Sequence, residues 1–370
     1  MKKILFLIPN LSVGGAEKVL VNLVNNMDKE KFDITVQVLF AGGVNEKFLK
    51  PHIKYKYCYK KIFRGNSKYF CLFKPETLYK RFIKEHYDII VSYLEGPTAR
   101  IVSGCNDKDT KLVSWIHIEQ HTEKALSASF RNFDEVTRCY NKFDNTVCVS
   151  EYVKNDFVNI LNFKKPIEVL YNTNETNDIC RLANDEENTQ MISRDETNIC
   201  VVGKVHIRKG CDRICHIQKR LKSEGFNTHI YFLGVGPDEN FVKDFAKENN
   251  LENSITLLGY QTNPYKYVKK CDLFVCASLA EGFSTAVTEA LIVGTPVVST
   301  NCSGAYELLG ENNEYGIVTE NNEDALYEGI EKILTEENLL QHYKEQARVR
   351  GQRFSTEKTV KAVENMLESL

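Results

Sequence analysis

A chain of 370 residues is long enough for two globular domains at roughly 100–200 residues each, and 42% hydrophobic with 26% charged residues excludes a disordered, collagen-like or coiled-coil chain. A net charge of −2, with no DNA- or RNA-binding signature, excludes a general nucleic-acid binder. The charge is uneven: residues 1–170 carry 27 Lys+Arg against 19 Asp+Glu, a net of +8, which leaves −10 for the remainder.

The first apolar run, Ile4 to Ile8, stops at Pro9 and Asn10 without a small-residue cleavage site, so it reads as a buried strand and not as a signal peptide. No run approaches the ~18–20 apolar residues of a membrane span, so the expectation is a cytoplasmic protein, soluble or peripheral on the inner face of the membrane. Short apolar runs then alternate with helical patterns, the rhythm of parallel sheets. Strands are predicted at Ile4 to Ile8, Ile34 to Phe40, Ile89 to Tyr93, Leu112 to Ile116 and Thr146 to Val149, with helices such as Glu17 to Asn26 and Pro75 to His86. Between Lys47 and Lys84, twelve basic residues face one acidic residue, Glu76, and interleave with Tyr55, Tyr57, Tyr59, Phe63, Tyr69, Phe70, Phe73 and Tyr79. Basic and aromatic residues together suggest an anionic membrane surface as partner, against the plainer reading of a solvated face with some aromatics in the core.

From Asn172 to Asn198 the chain turns polar and loses periodicity, which reads as an exposed connection. A second rhythm follows, with strands at Ile199 to Val202, His229 to Leu233, Ile255 to Leu258, Leu273 to Cys276 and Pro296 to Ser299. The expected architecture is therefore α/β: a Rossmann-like domain over 1–172, a connection over 173–197, a second Rossmann-like domain over 198–350, and a C-terminal helix over 351–370 that packs back on the first. Twelve cysteines are dispersed without CxxC pairs, which points to reduced thiols in a cytoplasm. Cys211, Cys215 and His216 come nearest to metal-ligand spacing, but one helical turn without a second ligand pair reads as core packing.

In an open parallel sheet the ligand lies beyond the carboxyl ends of the strands, so the segments after each strand carry the chemistry. After the first strand come Ser12, Val13, Gly14, Gly15, Ala16 and Glu17, a glycine pair whose backbone can approach an anion at a helix start. The sequence VVGKVHIRKG sets Lys204, Arg208 and Lys209 in one loop, where cations suit a diphosphate leaving group. The segment CDLFVCASLAEGFSTAVTEALIVGTPVVST puts Glu281 in a strand-to-helix loop beside Gly282, with the backbone N–H groups of Phe283, Ser284 and Thr285 next. Glu289 falls a turn or two into the helix, where a carboxylate can accept both hydroxyls of a ribose.

These segments, with the GVGP turn at Gly234 to Pro237, resemble family 4 glycosyltransferases of the two-domain GT-B fold, in which two Rossmann-like domains face a central cleft. The resemblance is nearest to bacterial members that build capsular polysaccharide, exopolysaccharide or the O-antigen of lipopolysaccharide. It implies retaining transfer of a hexose or N-acetylhexosamine from a UDP-sugar to a lipid-linked or oligosaccharide acceptor, with no metal and no cofactor, by attack on the face from which the diphosphate leaves. It also implies that Glu289 holds the donor ribose, that Glu281 and the backbone of Gly282 to Thr285 address the donor sugar, and that Lys204, Lys209 and Gly15 serve the phosphates. Lys204 stands where many members have Arg. His117, in SWIHIEQH, matches the histidine placed over the donor sugar; Glu119 and His121 are nearby. The catalytic set implied is His117, Glu281 and Lys209. Asp107, Lys108 and Asp109 resemble a DxD metal site, but they precede a strand and so lie at the wrong end of the sheet. Two other functions fit the same scaffold: a nucleotide-sugar epimerase, and a catalytically silent partner protein.

Overall fold

Strands buried on both faces are continuous apolar runs, and Ile4 through Ile8, each 0% exposed, are such a run. The computed structural model describes every residue except Val13, Asn188, Gln190, Met191, Arg194 and Ser303. The chain divides into two units, Met1–Asn174 with Thr356–Leu370, and Glu175–Ser355.

The first unit is built on a seven-stranded parallel sheet of β1 (Lys2–Ile8), β2 (Phe32–Phe40), β3 (Lys54–Tyr59), β4 (Ile89–Ser92), β5 (Lys111–Ile116), β6 (Asn145–Cys148) and β7 (Ile167–Val169). Its spatial order is β3-β2-β1-β4-β5-β6-β7. The chain moves outward from β1 to β3, then returns to set β4 against β1, pairing Ile4 with Ile89 and Leu7 with Ser92. This reversal makes the carboxyl ends of β1 and β4 the switch point, where a doubly wound sheet opens a crevice. The C-terminal helix Thr356–Ser369 belongs to this unit: Glu364 Oε1 accepts from Asp28 N at 2.7 Å and Lys2 Nζ donates to Leu367 O at 2.9 Å.

The second unit holds a six-stranded parallel sheet of β8 (Thr197–Val202), β9 (Thr228–Leu233), β10 (Ile255–Gly259), β11 (Leu273–Cys276), β12 (Val297–Thr300) and β13 (Ile317–Thr319), in the order β10-β9-β8-β11-β12-β13. Its switch point falls between β8 and β11. Both sheets are thus doubly wound α/β, as the alternating pattern predicts.

Three strands escape the periodicity. β7 and β13 have three residues each, too few to show a pattern. β3 is an edge strand whose residues are at most half-buried, so its Lys-Tyr alternation reads as surface. The aromatics around it correct the surface reading in part: Phe40 stacks on Tyr59 at 5.8 Å, Phe70 meets Phe82 at 5.9 Å, and Phe70 is only 2% exposed. They form a small core, while Lys60, Lys61, Ile62, Arg64, Lys68 and Leu72 remain exposed. A buried Arg100 fixes that core. Its guanidinium pairs with both oxygens of Glu135 at 3.0 Å and donates to the carbonyls of Phe70 (2.8 Å) and Phe73 (2.7 Å).

The polar 173–197 stretch carries the helix Thr176–Ala183, whose Ile179 and Ala183 pack with Tyr265 in the second unit. Its apolar residues are too few for the composition to reveal it. All twelve cysteines are free thiols; Cys211 and Cys215 lie in the second core, and His216 faces outward to Glu323 at 2.9 Å. No helix among the described residues is long and apolar enough to cross a membrane.

Candidate functional site

In the second unit the loop after β8 and the loop after β11 lie side by side, and glycine makes their approach feasible. Gly210 has φ +73°, and a Cβ there would stand 2.2 Å from the carbonyl oxygen of Ala277, so only glycine fits. Gly234, in the turn after β9, has φ +151° and would set a Cβ 1.8 Å from Gly203 O. Leu279 N donates to Arg208 O at 3.0 Å, and the short 3-10 turn Ile207–Lys209 is capped by His206, which accepts from Arg208 N. Asp238 receives Ile207 N at 2.8 Å. Thr300 Oγ1 donates to Ser278 O at 2.8 Å, which ties the loop after β11 to β12.

The consequence is a pocket at the switch point, lined among others by Gly203, Lys204, Lys209, Ser278, Glu281 and Ser284. Lys209 Nζ lies 2.6 Å from Glu281 Oε1, and the Ser278 hydroxyl donates to the same oxygen at 2.6 Å. Lys204 is exposed and has no hydrogen-bond or ion-pair partner among the described residues. Ser284 caps the helix Thr285–Val293, accepting from Val287 N at 3.4 Å, while the N–H groups of its first turn point outward with the positive end of the helix dipole. Phe283 is 6% exposed, its ring 6.1 Å from that of Phe354, which anchors the backbone between Gly282 and Thr285. Glu289 is buried rather than on a surface, at 9% exposure, and accepts from the Tyr265 hydroxyl at 3.4 Å. Lys204, Lys209, Glu281 and Ser284 therefore share one pocket. This arrangement can hold an anion between two cations and offers the Glu281 carboxylate to hydroxyl groups; Glu289 is not among the lining residues.

In the first unit, Gly14 is the N-cap and Gly15 the first residue of the helix Gly15–Asn26. A Cβ on Gly14 would lie 2.1 Å from Glu17 Oε2, so the Glu17 carboxylate folds back over this helix start. Burial raises the pKa of that carboxyl. Val13 of the same motif lies outside the described residues. His117 follows β5, is 6% exposed, and packs its ring 4.9 Å from that of Tyr93. Burial pushes its imidazole down to about 3, so it is neutral near pH 7.

One neighbour of His117 was not legible in the sequence. Glu95, just beyond β4, accepts from His117 N at 2.9 Å, and burial raises its carboxyl to about 7 against the opposing effect of that bond. An acidic residue directly after an apolar strand, in SYLEGP, is the signal that could have marked it. Asp107 lies before β5, paired with His86 at 2.9 Å, at the amino end of the sheet.

Residues 13–177 match the family described as Glycosyltransferase Family 4, and residues 184–350 match Glycosyl transferases group 1. The chain is 27% identical over 365 residues, 96% of each chain, to a Campylobacter jejuni N-acetylgalactosamine-N,N'-diacetylbacillosaminyl-diphospho-undecaprenol 4-alpha-N-acetylgalactosaminyltransferase. It is 24% identical over 365 residues, 96% of this chain and 95% of the other, to a second Campylobacter jejuni protein, a GalNAc-alpha-(1->4)-GalNAc-alpha-(1->3)-diNAcBac-PP-undecaprenol alpha-1,4-N-acetyl-D-galactosaminyltransferase. Among solved structures, Anabaena HepE in complex with UDP and glucose superposes with a TM-score of 0.77 over 100% of both chains at 18% identity.

Proposed function

Because the chain belongs to the GT-B glycosyltransferases that join a family 4 domain to a group 1 domain, we propose that it transfers a hexosyl or N-acetylhexosaminyl group from a UDP-sugar to a lipid-linked oligosaccharide in bacterial surface polysaccharide synthesis. The observation that carries this reading is the second-unit pocket, with Lys204 and Lys209 beside Glu281 and the start of the helix Thr285–Val293. The names of the Campylobacter relatives support the lipid-linked acceptor, and the UDP and glucose bound to Anabaena HepE support the donor.

In this reading Lys204 and Lys209 neutralise the diphosphate as the glycosidic bond breaks, which is the role a metal ion would otherwise fill. Lys209 leaves Glu281 to do so, and the freed Glu281 carboxylate then accepts hydroxyls of the donor sugar. The backbone of Gly282, Phe283, Ser284 and Thr285 presents N–H groups to the same ligand. Glu289 takes the ribose diol, with Tyr265 fixing one of its oxygens. In the first unit Gly15 serves the phosphates and the neutral His117 imidazole bonds a sugar hydroxyl. Transfer retains the anomeric configuration, with the acceptor attacking from the face that the diphosphate leaves. The exposed cations between Lys47 and Lys84 hold the first unit at an anionic membrane, where a lipid-linked acceptor is found.

Thermal unfolding with UDP, GDP and a set of UDP-sugars, in the presence of a chelator, tests the donor half of this proposal. UDP and one UDP-sugar should raise the melting temperature by mass action. Absence of any stabilisation by nucleotides, or stabilisation only when metal is added, would contradict it.

A further inference from the structure

Two cysteines meet at the carboxyl end of the second sheet. Cys276 is the last residue of β11, and Cys302 stands two residues past the end of β12. The two strands pair in parallel with Cys276 opposite Ser299. Beyond that pair the chain folds back: Thr300 Oγ1 reaches Cys276 O at 3.3 Å, and Cys302 N donates to Thr300 O at 2.8 Å. This turn brings the Cys302 thiol to the Cys276 sulfur, and the two share a hydrogen bond. Both residues are buried, and both are free thiols.

A thiol reacts when it is held as thiolate and can be reached, and it is inert when buried among apolar groups. Cys276 meets both conditions, because it lines the pocket at the switch point of β8 and β11. The hydrogen bond from Cys302 brings its thiol down to about 7 against burial and the Glu281 charge, with help from Ser278 N. The same bond, together with burial, holds the proton on Cys302. Cys211 also lines the pocket, but burial pushes its thiol up to about 11. Cys200 and Cys271 form a second hydrogen-bonded pair, yet they are 0% and 4% exposed and neither lines the pocket. Only the first pair sets a thiolate in a pocket wall with a second thiol in contact, the arrangement in which a sulfenic acid is resolved by a neighbour.

We propose that Cys276 and Cys302 are a peroxide-sensitive dithiol whose reversible disulfide disables the second-unit pocket. The Cys276 thiolate attacks one oxygen of hydrogen peroxide, the O–O bond breaks, and the hydroxide that leaves takes a proton from solvent. Cys302 then attacks the sulfenic acid so formed, the S–O bond breaks, and water leaves with the Cys302 proton. Two thiols thus lose two electrons and two protons, and one peroxide becomes two waters. A small dithiol reverses the step by exchange and ends as a disulfide itself. The bridge acts on the pocket through Gly304: a Cβ there would stand 2.8 Å from the Phe283 ring and 3.5 Å from Gly282 O. A covalent bond holds the sulfurs closer than a hydrogen bond does, so Cys302 moves toward β11 and Gly304 with it. The backbone of Gly282 and Phe283 then loses the surface it packs on. That this disables a nucleotide site rests on the transferase reading; the bridge itself rests on the two sulfurs.

The full chain is treated with hydrogen peroxide, its remaining thiols are alkylated, and bridged peptides are mapped by mass spectrometry. Calorimetry reads UDP affinity before treatment, after it, and after dithiothreitol. A Cys276–Cys302 bridge should form before any other, UDP affinity should fall about tenfold, and dithiothreitol should restore it. Saturating UDP should slow the bridge severalfold, because it covers Cys276. Cys302→Ser should bind UDP as the untreated wild type does and keep that affinity in peroxide, and Cys302→Ala should match it. The mapping on wild type stands whether or not either variant folds. If Cys276 and Cys302 stay reduced while Cys200 and Cys271 bridge, the proposal is overturned. It is equally overturned if the bridge forms without loss of UDP affinity, or if peroxide weakens UDP binding to Cys302→Ser as much as to wild type. Should UDP bind neither form while the bridge still forms and reverses, the transferase reading falls and the dithiol stands.

Discussion

At the scale of single residues, the two glutamates of the second unit have different settings and so different expected costs. Glu289 is buried against Tyr265, whereas Glu281 shares one oxygen with Lys209 and Ser278. Glu289→Ala should therefore raise the dissociation constant of UDP, and Glu281→Ala should lower kcat while leaving UDP affinity within a fewfold of wild type. Calorimetry with UDP and initial-rate kinetics separate the two; equal and negligible effects would remove both assignments. His117 yields a pH prediction. Its imidazole is held near 3 in the fold against 6.5 when unfolded, so between those values the unfolded chain binds the extra proton. Stability is then present above pH 6.5 and lost as pH falls through the window. In His117→Gln that contribution vanishes, and the stability difference between variant and wild type should change by up to about 1.4 kcal/mol per pH unit below pH 6.5. Parallel pH profiles in denaturant unfolding would show that His117 is not neutral in the fold.

At the scale of elements, Arg100 joins the segment around Phe70 and Phe73 to the helix Phe133–Tyr140. Burial pushes the Glu135 carboxyl up, but hydrogen bonds from Arg100 and from Arg131 N outweigh it and hold the carboxyl below its usual range. Arg100→Met leaves the buried Glu135 charge without its counter-ion and takes a donor from each of two carbonyls, and should cost about 3–5 kcal/mol. Much of the loss should return in Arg100→Met with Glu135→Leu, where both charges are gone; equal stability of the single and double variants in urea unfolding would contradict this. The segment so anchored exposes Lys60, Lys61, Arg64 and Lys68 around Ile62 and Leu72. Replacing the four cations with Ser should reduce sedimentation with anionic vesicles at least about tenfold, given ~1 kcal/mol for each basic residue near such a surface. Binding that matches wild type, or that is equal on neutral vesicles, would remove the docking proposal. The same segment shows where sequence reasoning stops. β11 and the Ile4–Ile8 run of β1 are legible because both faces are buried and every residue is apolar; β3 is not, because an edge strand of alternating Lys and Tyr looks like a surface. The aromatics split between core and solvent by contacts with Phe40 and Phe82, which no local pattern records.

At the scale of the whole molecule, both sheets reverse their strand order, and the motif residues follow β1, β8 and β11, strands that form those reversals. That is why the second-unit site was legible: Lys209, Glu281 and Glu289 sit in segments whose glycines and spacing announce a strand-to-helix turn. The surroundings of His117 were only partly so: the histidine is marked by its motif, but the acceptance of its N–H by Glu95 is a property of packing, not of spacing. The proposed function is a metal-independent transfer to a lipid-linked sugar. Its most direct test is incubation of the purified protein with UDP-sugars and a polyprenyl-diphosphate-linked saccharide in the presence of a chelator, with the product's anomeric configuration read by NMR. The expected result is UDP release coupled to one new α-linkage from an α-configured donor. A β-linked product, UDP release without extension of any saccharide, or turnover that returns only on adding a divalent metal would contradict it.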